Sequence, residues 1–210
     1  MKYDIITIER QYATGGFEIG QILAEKLGIP YYGREIMEMA AASQEAIAME
    51  DIERMEETVT NSLLYSLAMR AKMATNMLGL GSNQLAYLAE ATVVNGLADK
   101  GSAVFIGHCA GCILRERDNV LRVFIHADDK KRRYRAITEY DIDPNAVDLV
   151  MNQFDKRRAN YYKANSDKKW NDFSAYHLVL DSGEFGLKEC ADIIATAAGW
   201  KDPSISSMNH

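Results

Sequence analysis

Seven residues, Arg10-Gln11-Tyr12-Ala13-Thr14-Gly15-Gly16, stand between a β-branched run and a helical one. Their types suit the capture of an anion. A turn from a strand into a helix aims several backbone N–H groups at one point. The helix dipole adds about half a positive charge there. Glycine lets the backbone approach a phosphate closely and adopt positive φ. The turn does not spell G-x-x-x-x-G-K-[ST]. Adjacent glycines also open plain turns, so a simple connection stands as the alternative reading of these residues.

A second group is basic. Lys130, Lys131, Arg132, Arg133, Arg135, Lys156, Arg157, Arg158, Lys163, Lys168 and Lys169 are eleven of the chain's 24 lysines and arginines, gathered within forty positions. Arg132 and Arg135 are three apart and share a helix face, and Arg158 shares one with Tyr161 and Tyr162. Two cationic helices joined near Tyr140-Asp141-Ile142 can fold over a polyanion, the electrostatic help that phosphoryl transfer requires. A solvated basic face is the competing reading, and single-stranded nucleic acid, stacked on Tyr161, Tyr162 and Trp170, is the least favoured use. A third group, Gly107-His108-Cys109-Ala110-Gly111, follows a probable central strand. His108 is read there as a ligand contact or as a local hydrogen-bonding residue. Cys109 and Cys112 form a Cys-x-x-Cys pair without the second pair that a four-ligand zinc site needs, and packing is the favoured use.

The elements that position these groups are alternately extended and helical. Tyr3 to Ile8 reads as a buried strand, with the polar run from Arg10 onward outside it. Ile19, Ile22, Leu23 and Leu27 recur at helical spacing, and Gly28-Ile29-Pro30 ends that helix. Pro30-Tyr31-Tyr32 supplies a second strand, completing a βαβ unit and implying a parallel sheet. From Arg34 to about Leu80 the chain reads as helical, rich in methionine (Met37, Met39, Met49, Met55, Met69, Met73, Met77). Those methionines suit either a buried core or a pliable surface closing on a ligand or on a second copy in a homodimer. Gly79 to Asn83 breaks the run, and Ser82 or Asn83 caps a helix to Lys100. Strands are expected at Ser102–Gly107, Val120–His126 and Tyr176–Leu180. Between the last two, one helix starts near Asp128 and another has Asp143 as its cap with Pro144 at its first position. A closing helix covers Leu187 to Ala198.

At 210 residues, 48% apolar and 26% charged, the chain has material for one ordinary α/β domain with a normal core. Its net charge of −6 argues against a nucleic-acid footprint over the whole surface. No run of 18 uncharged apolar residues and no leader-like start appear, which predicts a cytoplasmic protein without membrane association.

With these segments in hand, the run Ile8-Glu9-Arg10-Gln11-Tyr12-Ala13-Thr14-Gly15-Gly16-Phe17-Glu18-Ile19-Gly20 resembles the opening of the cytidylate kinase-like family, relatives of the P-loop nucleoside monophosphate kinases. Leu27-Gly28-Ile29-Pro30-Tyr31-Tyr32 continues the likeness. So do Val123-Phe124-Ile125-His126-Ala127 with Arg132 and Arg135, Asp155-Lys156-Arg157-Arg158-Ala159-Asn160-Tyr161-Tyr162, Lys168-Lys169-Trp170 and Tyr176-His177-Leu178-Val179-Leu180-Asp181.

The resemblance implies an α/β, P-loop NTPase-like three-layer fold: a central parallel sheet, a helical insertion and a basic helical lid. The whole is expected as a single domain over 1–200, with the insertion at about 35–81, the lid at about 128–173 and a flexible tail at 201–210. Arg10, Ala13, Thr14, Gly15, Gly16 and Phe17 would bind phosphate. Arg132, Arg135 and Arg158 would be the catalytic lid arginines, and His108 and Met39 would line the acceptor pocket. ATP and Mg²⁺ would be the cofactors, with a nucleotide and a small-molecule acceptor as partners. The chain departs from the family of true cytidylate kinases at telling places. Gly16 stands where those kinases carry the loop lysine, and Phe17 where a metal-binding hydroxyl is expected. Gly33 replaces an acidic residue, Met39 an arginine, and His108-Cys109 an arginine–aspartate pair. The implied activity is a small-molecule kinase with an unidentified acceptor, and its alternative is a non-catalytic nucleotide- or phosphate-binding protein.

Overall fold

Parallel strands need crossover connections that cover both faces, so their residues are apolar on both sides. The central strand β1 (Ile5–Arg10) follows this rule up to Ile8 and then carries Glu9 and Arg10. In the computed structural model, which describes residues 2–42, 82–166 and 168–200, β1 extends beyond the expected end at Ile8. The reason lies in its neighbour: β4 (Val120–His126) supplies a register partner at every step, out to Glu9 opposite Phe124 and Arg10 opposite Ile125. The ladder holds the polar residues extended where their composition alone suggests a loop.

Five strands form one parallel sheet in the order β2-β3-β1-β4-β5, with β2 at Tyr31–Tyr32, β3 at Ala103–Ile106 and β5 at Leu178–Asp181. β5 starts two residues later than expected from sequence. Helix α1 (Gly16–Leu27) closes the βαβ unit and ends on Gly28. Helix α2 spans Ser82–Ala98 and the short α3 spans Ala110–Ile113. Helices α4 (Asp129–Thr138) and α5 (Val147–Asn165) follow β4, and α6 (Ser182–Phe185) and α7 (Leu187–Ala197) follow β5. The expected start of α5 at Pro144 is corrected to Val147. The Asp143 carboxylate accepts from Asn145 N–H at 2.8 Å, which closes a turn ahead of the helix instead of capping the helix itself.

The chain divides into two compact units, residues 1–33 with 97–210, and 34–96. Within the first, Ile6, Ile8, Val104, Ile106, Val123, Ile125 and Leu180 face α1 and α7, burying Ile19, Leu23, Cys190, Ala191, Ile194 and Ala195. The opposite face is more polar and aromatic. Phe124 packs on Trp170 and Tyr176 with ring centroids 5.3 and 5.0 Å away. Glu9, only 7% exposed, accepts from Trp170 Nε1 at 3.1 Å. Trp170→Phe keeps an aromatic ring but leaves a buried carboxylate without this donor, at a cost of about 1–3 kcal/mol. A fall in melting temperature of roughly 5 °C is expected by differential scanning calorimetry.

In the second unit, residues 35–42 are helical, with Met37 and Met39 exposed. Met49, Met55, Met69, Met73 and Met77, the break at 79–81 and the tail from 201 lie outside the described residues. No described helix is long and apolar enough to cross a membrane.

Candidate phosphate-binding site

In an open α/β sheet, ligands sit at the carboxyl ends of the strands where successive connections diverge to opposite sides. Here that point falls between β1 and β3, since β1 leads over β3 to β2 while β3 leads back over β1 to β4. The loops that meet there are the turn after β1 and the turn Gly107-His108-Cys109. Both are strained. Ala13 sits at φ 59° and Gly15 at 71°, while Gly107, His108 and Cys109 take 84°, 58° and 52° in succession. Non-glycine residues in this region cost on the order of 1–3 kcal/mol each, and such strain gathers at binding sites.

The β1 turn leaves its amides open. Among the described residues, the N–H groups of Ala13, Thr14, Gly15, Gly16 and Phe17 meet no acceptor, and Gly15 caps α1 without a side-chain bond. Thr14 is buried and turns its hydroxyl away, donating to the Gln11 carbonyl at 2.9 Å. Successive amides around left-handed residues at a helix start form an anion-binding concavity.

Side chains from distant elements brace this turn. Tyr12 N–H donates to Asp155 Oδ1 at 2.7 Å, and Tyr12 C=O accepts from Arg132 Nε at 2.8 Å. Arg132 and Asp155 are themselves ion-paired, and a second carboxylate, Asp129, lies 3.2 Å from Arg132 Nη1. The Tyr12 peptide is thus held on both sides by one ion pair. Its ring stacks on Phe154 at 4.4 Å, and Arg158 lies over it at 5.9 Å. Arg158 Nη1 donates to the Arg10 carbonyl at 2.9 Å. Ser182 Oγ lies 2.7 Å from Thr14 C=O and 3.2 Å from His126 C=O, tying the turn to the ends of β4 and β5.

The sequence-predicted residues therefore come together unequally. Arg132 is 4% exposed and its guanidinium is engaged by Tyr12, Asp129 and Asp155. Arg135 pairs with Glu139 at 2.8 Å and places Nη1 against Gly15. Arg158 reaches the turn through backbone. Phe17 is 37% exposed and packs edge-on against Tyr31, outside the turn. His108 is half-buried at the end of β3, and Met39 lies on the helical residues of the other unit.

Beside the turn, on the β4 and β5 side, opens a cavity of about 410 Å³ lined by Ala13, Lys130, Lys131, Tyr134, Arg135, Ser182 and Gly183. Lys131 Nζ crosses it to Gly183 C=O at 2.5 Å and Glu184 at 3.2 Å. Ser182, Gly183 and Tyr134 carry no motif, and only the tertiary fold identifies them as lining residues. Glu18, on the first turn of α1, has one more feature that spacing does not reveal. Its Oε1 accepts from Tyr140 OH at 3.1 Å, while its buried Oε2 has no partner. Among the described residues, no group of three or more His, Cys, Asp or Glu side chains is placed to hold a metal.

Comparison with known proteins agrees with this fold. The profile described as "Cytidylate kinase-like family" matches residues 5–184. A crystal structure of an uncharacterized protein from Eubacterium ventriosum ATCC 27560 is similar at a TM-score of 0.68 and 20% identity, over 94% of this chain and 99% of that one. A gluconokinase from Sinorhizobium meliloti 1021 is similar at 0.50 and 12% identity, over 98% of this chain and 97% of that one. TT1252 from Thermus thermophilus is similar at 0.50 and 15%, over 94% and 98%. At these identities the likeness is one of fold. The search of curated proteins returns no match.

Proposed function

The chain belongs to the cytidylate kinase-like family, and from that premise we propose that it is a nucleotide-dependent phosphotransferase acting on a small-molecule alcohol or phosphate. The observation that carries the reading is the junction of five acceptor-free amides, Ala13 to Phe17, with the basic cavity beside them. The amides receive phosphate oxygens, and the 410 Å³ cavity takes the rest of an ATP molecule. Tyr134 offers a face for the base, and Lys130 and Arg135 face the phosphate chain. The family's lid arginines then divide their work. Arg135 neutralises phosphate directly, whereas Arg132 and Arg158 hold the peptides of Tyr12 and Arg10 and so keep the amides aimed. His108 stands as the acceptor contact at the end of β3.

Nucleotide kinases use Mg²⁺ to neutralise charge developing on the phosphates. The residues fit it in one respect. A buried carboxylate oxygen with no donor, beside an anion site, suits a hard cation that binds through one or two carboxylates and the phosphates themselves. Glu18 would therefore hold the ion.

The test is ATP titration calorimetry together with an ATP-consumption screen against nucleoside monophosphates and small alcohols in the presence of Mg²⁺. Turnover with one acceptor class is the expected result. Binding without turnover would favour a non-catalytic nucleotide binder, the reading that Gly16 and Phe17 support. If ATP, GTP and phosphate all fail to bind, both readings fall. Arg135→Ala should weaken ATP by roughly tenfold or more, a charged hydrogen bond being worth about 1.5–3 kcal/mol. Its partner Glu139 is half-exposed, so the melting temperature should stay nearly constant.

A further inference from the structure

On the phosphotransferase reading, we propose that Arg10 grips the terminal phosphate of the bound nucleotide from the β3 side of the turn, replacing the lysine that Gly16 lacks. The order of the strands supplies the first argument. Along the carboxyl edge of the sheet, the cavity belongs to the ends of β4 and β5, the amide turn to the end of β1, and Gly107 to the end of β3. A nucleotide seated in the cavity with its phosphates on the turn directs its last phosphate toward β3.

Arg10 is stretched along that same line. A methyl group built on Gly16 would lie 2.7 Å from Arg10 Cβ and 2.8 Å from Cγ, so the stem of the arginine runs over the helix start. A methyl group on Gly107 would overlap Nη1 and lie 3.3 Å from Cζ, so the guanidinium rests on the end of β3. Two glycines thus form a cradle, one under the stem and one under the head. The stem leaves no room for a side chain at Gly16, and a side chain at Gly107 would have to push the guanidinium aside.

The charge at the end of that stem has no direct acceptor, and the carboxylates of Glu9 and Glu18 favour it only from a distance. Among the described residues, the Arg10 guanidinium makes no hydrogen bond and no ion pair, unlike Arg132, Arg135 and Arg158. Desolvation and the neighbouring Arg158 cation lower its pKa to about 10, so it stays protonated at neutral pH. Two neighbouring cations, one of them without an acceptor, are relieved by an anion between or beside them. The terminal phosphate carries the charge and the oxygens to do this. It is also the group on which charge develops during transfer.

The experiment compares ATP and ADP binding, with Mg²⁺, to the full chain and to Arg10→Ala, Arg10→Lys and Gly107→Ala. The two arginine variants are checked for an unchanged thermal transition, and Gly107→Ala, strained at φ 84°, for a single cooperative transition a few degrees lower. The wild type should bind ATP tighter than ADP. Arg10→Ala should lose about 10- to 100-fold in ATP affinity, on the scale of one charged hydrogen bond, and leave ADP within a factor of about three. Gly107→Ala keeps the arginine but displaces its head, and it should show the same selective loss. Arg10→Lys, which retains the charge, should lose less. Equal wild-type affinity for the two nucleotides, or a parallel loss of both in Arg10→Ala, would overturn the assignment while leaving the nucleotide site standing. A wild type that binds neither would remove the site itself. If Arg10→Ala does not fold, the Gly107→Ala and Arg10→Lys ratios decide.

Discussion

Arg132→Ala should lower the melting temperature by roughly 10 °C and remove nucleotide binding with it. The guanidinium is 4% exposed and is bonded to Asp155, Asp129 and the Tyr12 carbonyl. Truncation strands Asp155, whose side chain is 21% exposed, without its main counter-charge. Breaking a buried pair on one side costs about 3–5 kcal/mol, and a chain of this size loses about 2–4 °C per kcal/mol. The functional loss follows from the same geometry. Tyr12 N–H and C=O are held by the two members of the pair, and the acceptor-free amides begin one residue later. Without the pair those amides lose their common direction. Asp155→Ala should match Arg132→Ala, and the double variant should cost less than the sum, because residues sharing one network are coupled. Scanning calorimetry of the three variants reads the coupling. Additive losses would show that Arg132 and Asp155 stabilise the protein independently. By contrast, Arg135→Ala should change binding with little change in stability, which separates the two arginines that share one helix face.

The difference between those two arginines marks how far the sequence could be read. Strand β1, helix α1 and the turn between them are encoded locally, by a β-branched run, a helical period and Gly28. They emerge close to where expected, except that β4 holds β1 extended two residues further, to Arg10. Arg132 and Arg135 look alike in sequence, three residues apart on one basic helix. What separates them is Asp155, 23 residues beyond Arg132, and the Tyr12 carbonyl, 120 residues before it. The Asp155–Arg158 spacing does place an acid and a base on one helix face. It cannot say that the acid takes the Tyr12 amide and the base the Arg10 carbonyl. The Glu9–Trp170 bond joins residues 161 apart and has no local signature. At Asp143-Pro144, a strong helix-start pattern is spent on a turn, since a carboxylate that caps Asn145 leaves the first helical amides three residues further on. Local chemistry fixes the elements, and the tertiary partner fixes what each polar side chain does.

Gly16 shows the same lesson with the sign reversed. From sequence it is a missing lysine, and the natural repair is Gly16→Lys. That variant should bind nucleotide more weakly than the wild type. Any Cβ at position 16 meets Arg10 Cβ and Cγ at 2.7 and 2.8 Å, and these atoms sit at the root of the side chain, where little can give. The arginine must leave its cradle, and Gly107 then loses the head that rests on it. Overpacking of this kind costs about 1–3 kcal/mol, and the displaced guanidinium forfeits a charged hydrogen bond to the bound phosphate worth about 1.5–3 kcal/mol. A loss of about 10- to 100-fold in ATP affinity is expected by calorimetry. Arg10→Gly/Gly16→Lys removes both the Cβ and the Cγ that obstruct position 16 and returns a cation on the helix. It should recover part of the lost affinity, where Arg10→Gly alone recovers none. Recovery makes the glycine and the arginine one exchanged unit: the charge has moved from the first helical residue to the last residue of the strand, and the glycine is the room it needs. If Gly16→Lys instead tightens ATP binding in the presence of Arg10, the cradle does not constrain the site, and Gly16 is a vacancy after all.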